Sequence, residues 1–262
     1  MGNTSSFEIY GGPDDTKRAF VRSIEALPPL LTSKLRSTLS HLVERPRLCI
    51  GEEGKRYKAH DLTHFRKVEG LVDGPEVTDA SIYLRYSPPS SRRKGSMVFL
   101  HWQRDTSCYP RVDGISQLDM TLCCEGEDDA VRIGSKQFLF LMKAWQFLIS
   151  ESRPDYGVFR KGGDQFVQSH VFLICKPDHI YQANYFGPKM VDKLGKERLL
   201  GIPKLVRDRG KREFPARWVA KWMPAKGILL YEGSDPSKPG IAGDMEQLKR
   251  YLGIKDLNVL SI

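Results

Sequence analysis

"SKQFLFLMKAWQFLISESRPDYG", residues 135–157, is the stretch on which the fold turns. Phe138, Leu141, Met142, Trp145, Leu148 and Ile149 recur at helical spacing and make a wide apolar stripe. Ser135 supplies an N-cap, and Arg153-Pro154 stops the helix. A helix this apolar has to lie across a sheet, and the strands stand just upstream. "ASIYLRYS" (80–87) alternates apolar and polar positions, "SMVFLHWQ" (96–103) is a second strand, and "ISQLDMTLCCEG" (115–126) is a third. "PPSSRRKG" (88–95) is the loop between the first two.

Downstream, "SHVFLICKP" (169–177) and "IYQANYF" (180–186) are expected to form a hairpin-like pair around Pro177-Asp178. Gly187-Pro188 then breaks into a helix near 188–200, expected to stop at Gly201-Ile202-Pro203. "ARWVAKW" (216–222) and "GILLYEG" (227–233) are two more short strands. The final helix, "DMEQLKRYLG" (244–253), has Asp244 as its cap and Gly253 at its end.

Toward the N-terminus, residues 1–15 are expected to be a flexible leader with a "GGPDD" turn. Residues 16–45 have helical spacing through Phe20, Ile24, Leu27, Leu31, Leu35, Leu39 and Leu42, which Pro28-Pro29 should interrupt. "ERPRLCIGEEGKRYKAH" (44–60) gives a strand and a turn. The expected class is α+β, a mostly antiparallel sheet with helices packed on one face. Residues 16–262 are expected to be a single domain, with 16–79 as a helical N-terminal extension in the alternative division.

Composition sets the outer limits. The chain has 262 residues, 40% hydrophobic and 28% charged, enough apolar material for a substantial core. No run of eighteen or more apolar residues occurs and no secretory signal is visible, so a cytoplasmic location is expected. Five cysteines (49, 108, 123, 124, 175) without regular spacing argue against a disulfide framework or a zinc site.

Each reactive constellation has a plainer explanation. His60 and His64 in "HDLTHF" stand four apart, as on one face of a helix, but Asp61 takes the place of the metalloprotease glutamate and no third ligand is evident. Glu125, Glu127, Asp128 and Asp129 lack the spacing of a calcium loop and suit a solvated turn before a helix. Spacing alone does not bring Cys175 together with His170 or His179, and no GxSxG elbow occurs. "RKGG" (160–163) and "GPKMVDKLGK" (187–196) lack the endings of phosphate or dinucleotide loops. No catalytic residue, metal, cofactor or small-molecule substrate is therefore expected.

Charge is the stronger signal. The formal net charge is +9, and residues 189–226 hold twelve Lys or Arg against four acids, a local excess of +8. A field so concentrated favours an anionic partner. Lys189, Lys193, Lys196, Arg198, Arg207, Arg209, Arg212, Arg217 and Trp218 are the candidate partner-binding residues. Arg212, Trp218, Lys221 and Trp222 interleave cations and aromatics, as single-stranded nucleic-acid binders do, against a plain strand with both tryptophans turned inward. "MGNTSS" fits an N-myristoylation pattern at Gly2, which with the basic segment would describe a membrane-peripheral matrix or adaptor protein of a virus or eukaryote.

The order of features over roughly residues 80–255 resembles the type VI secretion immunity proteins of the immunity-protein-52-like group. "DMTLCC" is followed by "FLFLMKAWQFLI", "SRPDYGVF", "YQANYFG", "PKMVDKLGKERLLGIP", "KGILLYEGSDP" and "MEQLKRYLGI". The resemblance implies a non-enzymatic antitoxin that binds one cognate effector and neutralises it, and it assigns no binding residue. Guards against nuclease toxins are usually acidic, so this basic chain implies an effector with an acidic face that is not a nuclease.

Overall fold

A computed structural model describes residues 5–35, 47–52, 58–61, 68–86, 96–104, 114–124, 135–160, 180–208, 218–232 and 248–254. Among these residues the strands are β1 Ser5–Gly11, β2 Arg47–Glu52, β3 Lys58–Asp61, β4 Val77–Tyr86 and β5 Ser96–Gln103. They continue with β6 Ser116–Cys124, β7 Tyr156–Arg160, β8 Ala183–Phe186, β9 Trp218–Trp222 and β10 Ile228–Glu232. All join one sheet in the order β3-β2-β4-β5-β6-β1-β7-β8-β10-β9, and every neighbouring pair is antiparallel. The described helices are α1 Pro13–Leu35, α2 Val68–Val72, α3 Ser135–Ser152, α4 Pro188–Leu194 and α5 Lys196–Asp208. A closing helical turn spans 248–252. The architecture is α+β with an antiparallel sheet, as the alternating strands and the apolar stripe of α3 require.

The N-terminal expectation is corrected. Residues 5–11 are not a leader: β1 lies between β6 and β7 and joins the two halves of the sheet. The cause is local alternation in "FEIY". Phe7 and Ile9 are buried on one face, whereas Glu8 and Tyr10 are buried on the other. "GGPDD" is the turn into α1, whose Thr16 N–H donates to the Gly12 carbonyl at 3.1 Å. Nor are residues 16–79 a helical extension, because β2 and β3 lengthen the sheet beside β4. α1 also continues through Pro28-Pro29 to Leu35. Each proline forfeits a backbone donor, a loss the helix absorbs without ending there.

Alternation sorts the core into two layers. On one face Phe7, Ile9, Leu100, Trp102, Leu118 and Met120 pack under α1 and α3, through Phe20, Ile24, Trp145 and Leu148. A buried polar chain fixes the start of α1 there. The Trp102 Nε1–H donates to Thr16 Oγ1 at 3.2 Å, Thr16 Oγ1 lies 2.7 Å from Ser116 Oγ, and Ser116 Oγ donates to the Gln103 carbonyl at 2.7 Å. Helices on one face thus describe this half of the sheet. At the β7-β8-β10-β9 end, α4, α5 and the closing turn cover the opposite face, through Met190, Val191, Leu199, Ile202, Leu248 and Leu252.

The expected helix near 188–200 is two helices. Gly195, with φ +91°, divides α4 from α5, a backbone conformation that side chains rarely adopt. α5 runs past Gly201 and carries Pro203 inside it before ending at Asp208. Arg153-Pro154 ends α3 as expected, and Gly253 (φ +70°) closes the last turn. The expected strand 169–177 lies outside the described residues.

Candidate functional site

β8 delivers the chain into α4 through Gly187, whose N–H donates to the Asp155 carbonyl at 2.9 Å. A Cβ at Gly187 would lie 2.4 Å from the Pro154 carbonyl oxygen, so the close crossing demands glycine. From that anchor α4 and α5 turn Met190, Val191, Leu199 and Ile202 onto Tyr156, Ile228 and Leu230. The remaining positions, Lys189, Asp192, Lys193, Lys196, Glu197 and Arg198, are exposed. The two-sided character follows from helical spacing alone.

Of the sequence-predicted residues, four lie on this surface, with different engagements. Lys189, itself exposed, pairs with the half-buried Asp155 at 3.3 Å. Lys193 is exposed on the last turn of α4. Lys196 Nζ stands 4.3 Å from the centre of the Trp222 ring. Arg198 is committed internally: its guanidinium donates to the Tyr251 carbonyl and lies 5.1 Å from the Tyr251 ring, while the Tyr251 hydroxyl donates back to the Arg198 carbonyl at 3.3 Å. It clips the closing turn to α5. The Arg207 side chain lies outside the described residues, as do Arg209, Arg212 and Arg217 and the lipidation candidate Gly2.

Trp218 is a correction. It is 4% exposed and belongs to the apolar layer under α5, so it is no contact residue. In β9, positions 218, 220 and 222 share one face. α5 covers the first of them, whereas Trp222, at the end of the strand, is 41% exposed. Lys221 is exposed on the opposite face of the strand, and Lys226 in the adjoining turn. The α4–α5 side therefore exposes Lys189, Lys193 and Lys196, with Trp222 as the exposed aromatic under Lys196. Which tryptophan is covered depends on where α5 lies, so nothing in the strand's own spacing distinguishes Trp222 from Trp218.

A second polar group lies on the same sheet face, toward β4. Cross-strand register aligns Ser81, His101, Asp119 and Glu8 in one row. His101 Nδ1 is 4.0 Å from Asp119 and its Nε2 is 4.0 Å from Asp79, both beyond hydrogen-bond length. Burial holds the imidazole below its usual value, and the Asp79 charge offsets this only in part. Asp79 Oδ1 is buried without a hydrogen bond among the described residues, whereas the Glu8 and Asp119 carboxylates are occupied in turn. Ser6 Oγ donates to Glu8 at 2.8 Å and the Tyr10 hydroxyl at 2.6 Å, and Gln117 Nε2 donates to Asp119 at 2.8 Å.

Among the described residues no three His, Cys, Asp or Glu side chains gather in a way that could hold a metal ion. His60 sits in β3 opposite Leu48, so the helical pairing considered for it and His64 does not arise; His64 itself lies outside the described residues. The same is true of Glu125, Glu127, Asp128 and Asp129, of Cys108 and Cys175, and of His170 and His179. Among the described residues no helix is long and apolar enough to cross a membrane.

No protein-family model matches the chain. No curated protein matches it either. Among solved structures, the Pseudomonas aeruginosa T6SS protein PA0821 is similar in fold, with a TM-score of 0.50 and 11% identity. The likeness covers 97% of this chain and 73% of that one. It extends over almost the whole of this chain, including the segments outside the sequence resemblance to immunity proteins.

Proposed function

We propose that this protein is an immunity-type binding protein that neutralises a cognate type VI effector by direct contact, without catalysis. Two findings support the reading: the fold similarity to a T6SS protein, and the exposed lysines of α4, the start of α5 and the β9–β10 hairpin. The observation that carries it is Trp222, an exposed large aromatic with Lys196 over its ring. An aromatic anchor within a charged rim is how protein interfaces combine holding energy with steering. The effector's matching surface is acidic under this reading, and the encounter takes place in the cytoplasm.

Burial of Trp218 counts against single-stranded nucleic acid, since one of the two stacking platforms is inside the core. Co-expression with the product of the neighbouring gene tests the proposal. Co-purification and relief of that product's toxicity are the expected results; a pair that does neither rejects it.

A further inference from the structure

β9 is the last strand of the sheet, and among the described residues it pairs with β10 alone. At the mouth of their hairpin the Met223 N–H donates to the Gly227 carbonyl at 2.9 Å. Antiparallel ladders alternate bonded and non-bonded pairs. Counting from 223–227, the pairs Lys221–Leu229 and Val219–Tyr231 are hydrogen-bonded, whereas Trp222–Ile228, Ala220–Leu230 and Trp218–Glu232 are not. The backbone N–H and C=O groups of Trp218, Ala220 and Trp222 therefore point away from β10, toward the side on which no described strand lies. A row of outward donors and acceptors is a template for another strand.

Charge narrows what that strand can be. Lys221 is exposed on one face of β9, Trp222 carries Lys196 on the other, and Lys226 is exposed in the adjoining turn. Lysine on an edge strand discourages neutral or basic chains from pairing there. A second copy of this chain would set the same lysines against one another, and like charges facing across strands repel. A chain rich in carboxylates meets cations on both of its faces instead, while its backbone completes the ladder.

We infer that β9 receives an extended acidic segment of a partner protein as a further strand of the sheet. Only the partner's identity rests on the proposed immunity role; the strand addition rests on the edge itself.

Proline at Ala220 separates the possibilities, because the Ala220 N–H faces outward and its loss leaves the β10 ladder intact. Wild type, Ala220→Pro and Lys221→Glu, all full length, are titrated with a labelled alternating Glu-Val peptide, with an alternating Lys-Val peptide, and with the co-encoded effector. The expected result is binding of Glu-Val but not Lys-Val, weakened about tenfold or more by each variant, with slowed amide exchange at 218, 220 and 222. Equal binding of both peptides, or Glu-Val binding that neither variant changes, overturns the inference. So does a wild-type dimer in sedimentation that Ala220→Pro dissolves, which would make a second copy the occupant. Should circular dichroism show Ala220→Pro unfolded, Lys221→Glu and the wild-type exchange pattern decide. An effector that binds all three proteins alike, without protecting β9, removes strand addition and leaves the immunity role standing. Peptide binding as expected beside an effector that never binds wild type does the reverse.

Discussion

Lys196 Nζ lies 4.3 Å above the Trp222 ring, at the meeting of α5 and β9, the last described strand of the sheet. The pair is local, exposed and independent of both core layers, so it can be altered without disturbing the fold. Replacing Trp222 by Ala should cost effector affinity about 2 kcal/mol, as anchors of this kind do, mostly through faster dissociation. Lys196→Gln should cost less, on the order of 0.5–1 kcal/mol, the range of an exposed cation–π contact. Calorimetric titration of the two variants checks the ranking, and a smaller loss for Trp222→Ala would displace it as the anchor.

Reversal of Lys189 and Lys193 to Glu should act on encounter instead. Neither side chain is part of a packed layer, so affinity should fall through an association rate slower by about tenfold, with a shallower dependence on salt. Stopped-flow association at low and physiological salt measures both. An unchanged salt slope would take α4 out of the encounter surface.

Arg198, although exposed, is engaged within the chain. Its guanidinium and the Tyr251 hydroxyl reach each other's backbone carbonyls, tying the closing turn at 248–252 to α5. Arg198→Ala should speed amide exchange in 248–252 and lower the melting temperature while leaving the association rate alone. A variant slowed in association, with the closing turn still protected, would return Arg198 to the interface.

Phe7 tests the central placement of β1. Its ring centre is 4.4 Å from that of Phe159 and 5.3 Å from that of Trp145, so one side chain joins the two halves of the sheet to α3. Phe7→Ala should destabilise the protein by about 3–5 kcal/mol, the cost of a large buried cavity. A residue in a flexible leader would show almost no change in chemical denaturation.

Where the sequence was legible, a single element contained its own evidence. β4, β5 and β6 alternate, and α3 combines an apolar stripe with a cap and a Pro stop, so each could be placed without knowing its neighbours. β1 has the same alternation in Phe7, Glu8, Ile9 and Tyr10, but it is short and lies against a turn at the chain's start, where a leader is the ordinary expectation. The acidic residue Glu8 on an inward face concealed it further, since its hydroxyl partners Ser6 and Tyr10 emerge only once the strand is formed. Trp218 and Trp222 show the opposite limit. Identical residues on one strand face differ in exposure because α5 covers only part of β9, and no pattern within "WVAKW" encodes where a helix crosses. Gly195 and Pro203 misled in the same way, because a glycine can divide two helices and a proline can sit within one when packing holds the rest.

His101 makes the pH response of the fold predictable. In the unfolded chain its imidazole takes a proton near pH 6.5, whereas burial between β4 and β6 lowers that value in the folded protein. Just below pH 6.5 the unfolded state therefore binds more protons than the folded one, and stability rises with pH across that window. The contribution is complete above pH 6.5 and is lost as pH falls through the folded-state value, below which both states are protonated. Melting temperature followed between neutral and mildly acidic pH should drop in wild type, and His101→Gln should flatten the part of the drop nearest pH 6.5. The Asp79 carboxylate favours the charged imidazole, so Asp79→Asn should deepen the loss by lowering the folded-state value further. A melting curve for His101→Gln that parallels wild type through this window would mean that the imidazole titrates alike in both states, and that the polar row from Ser81 to Glu8 is solvated rather than buried.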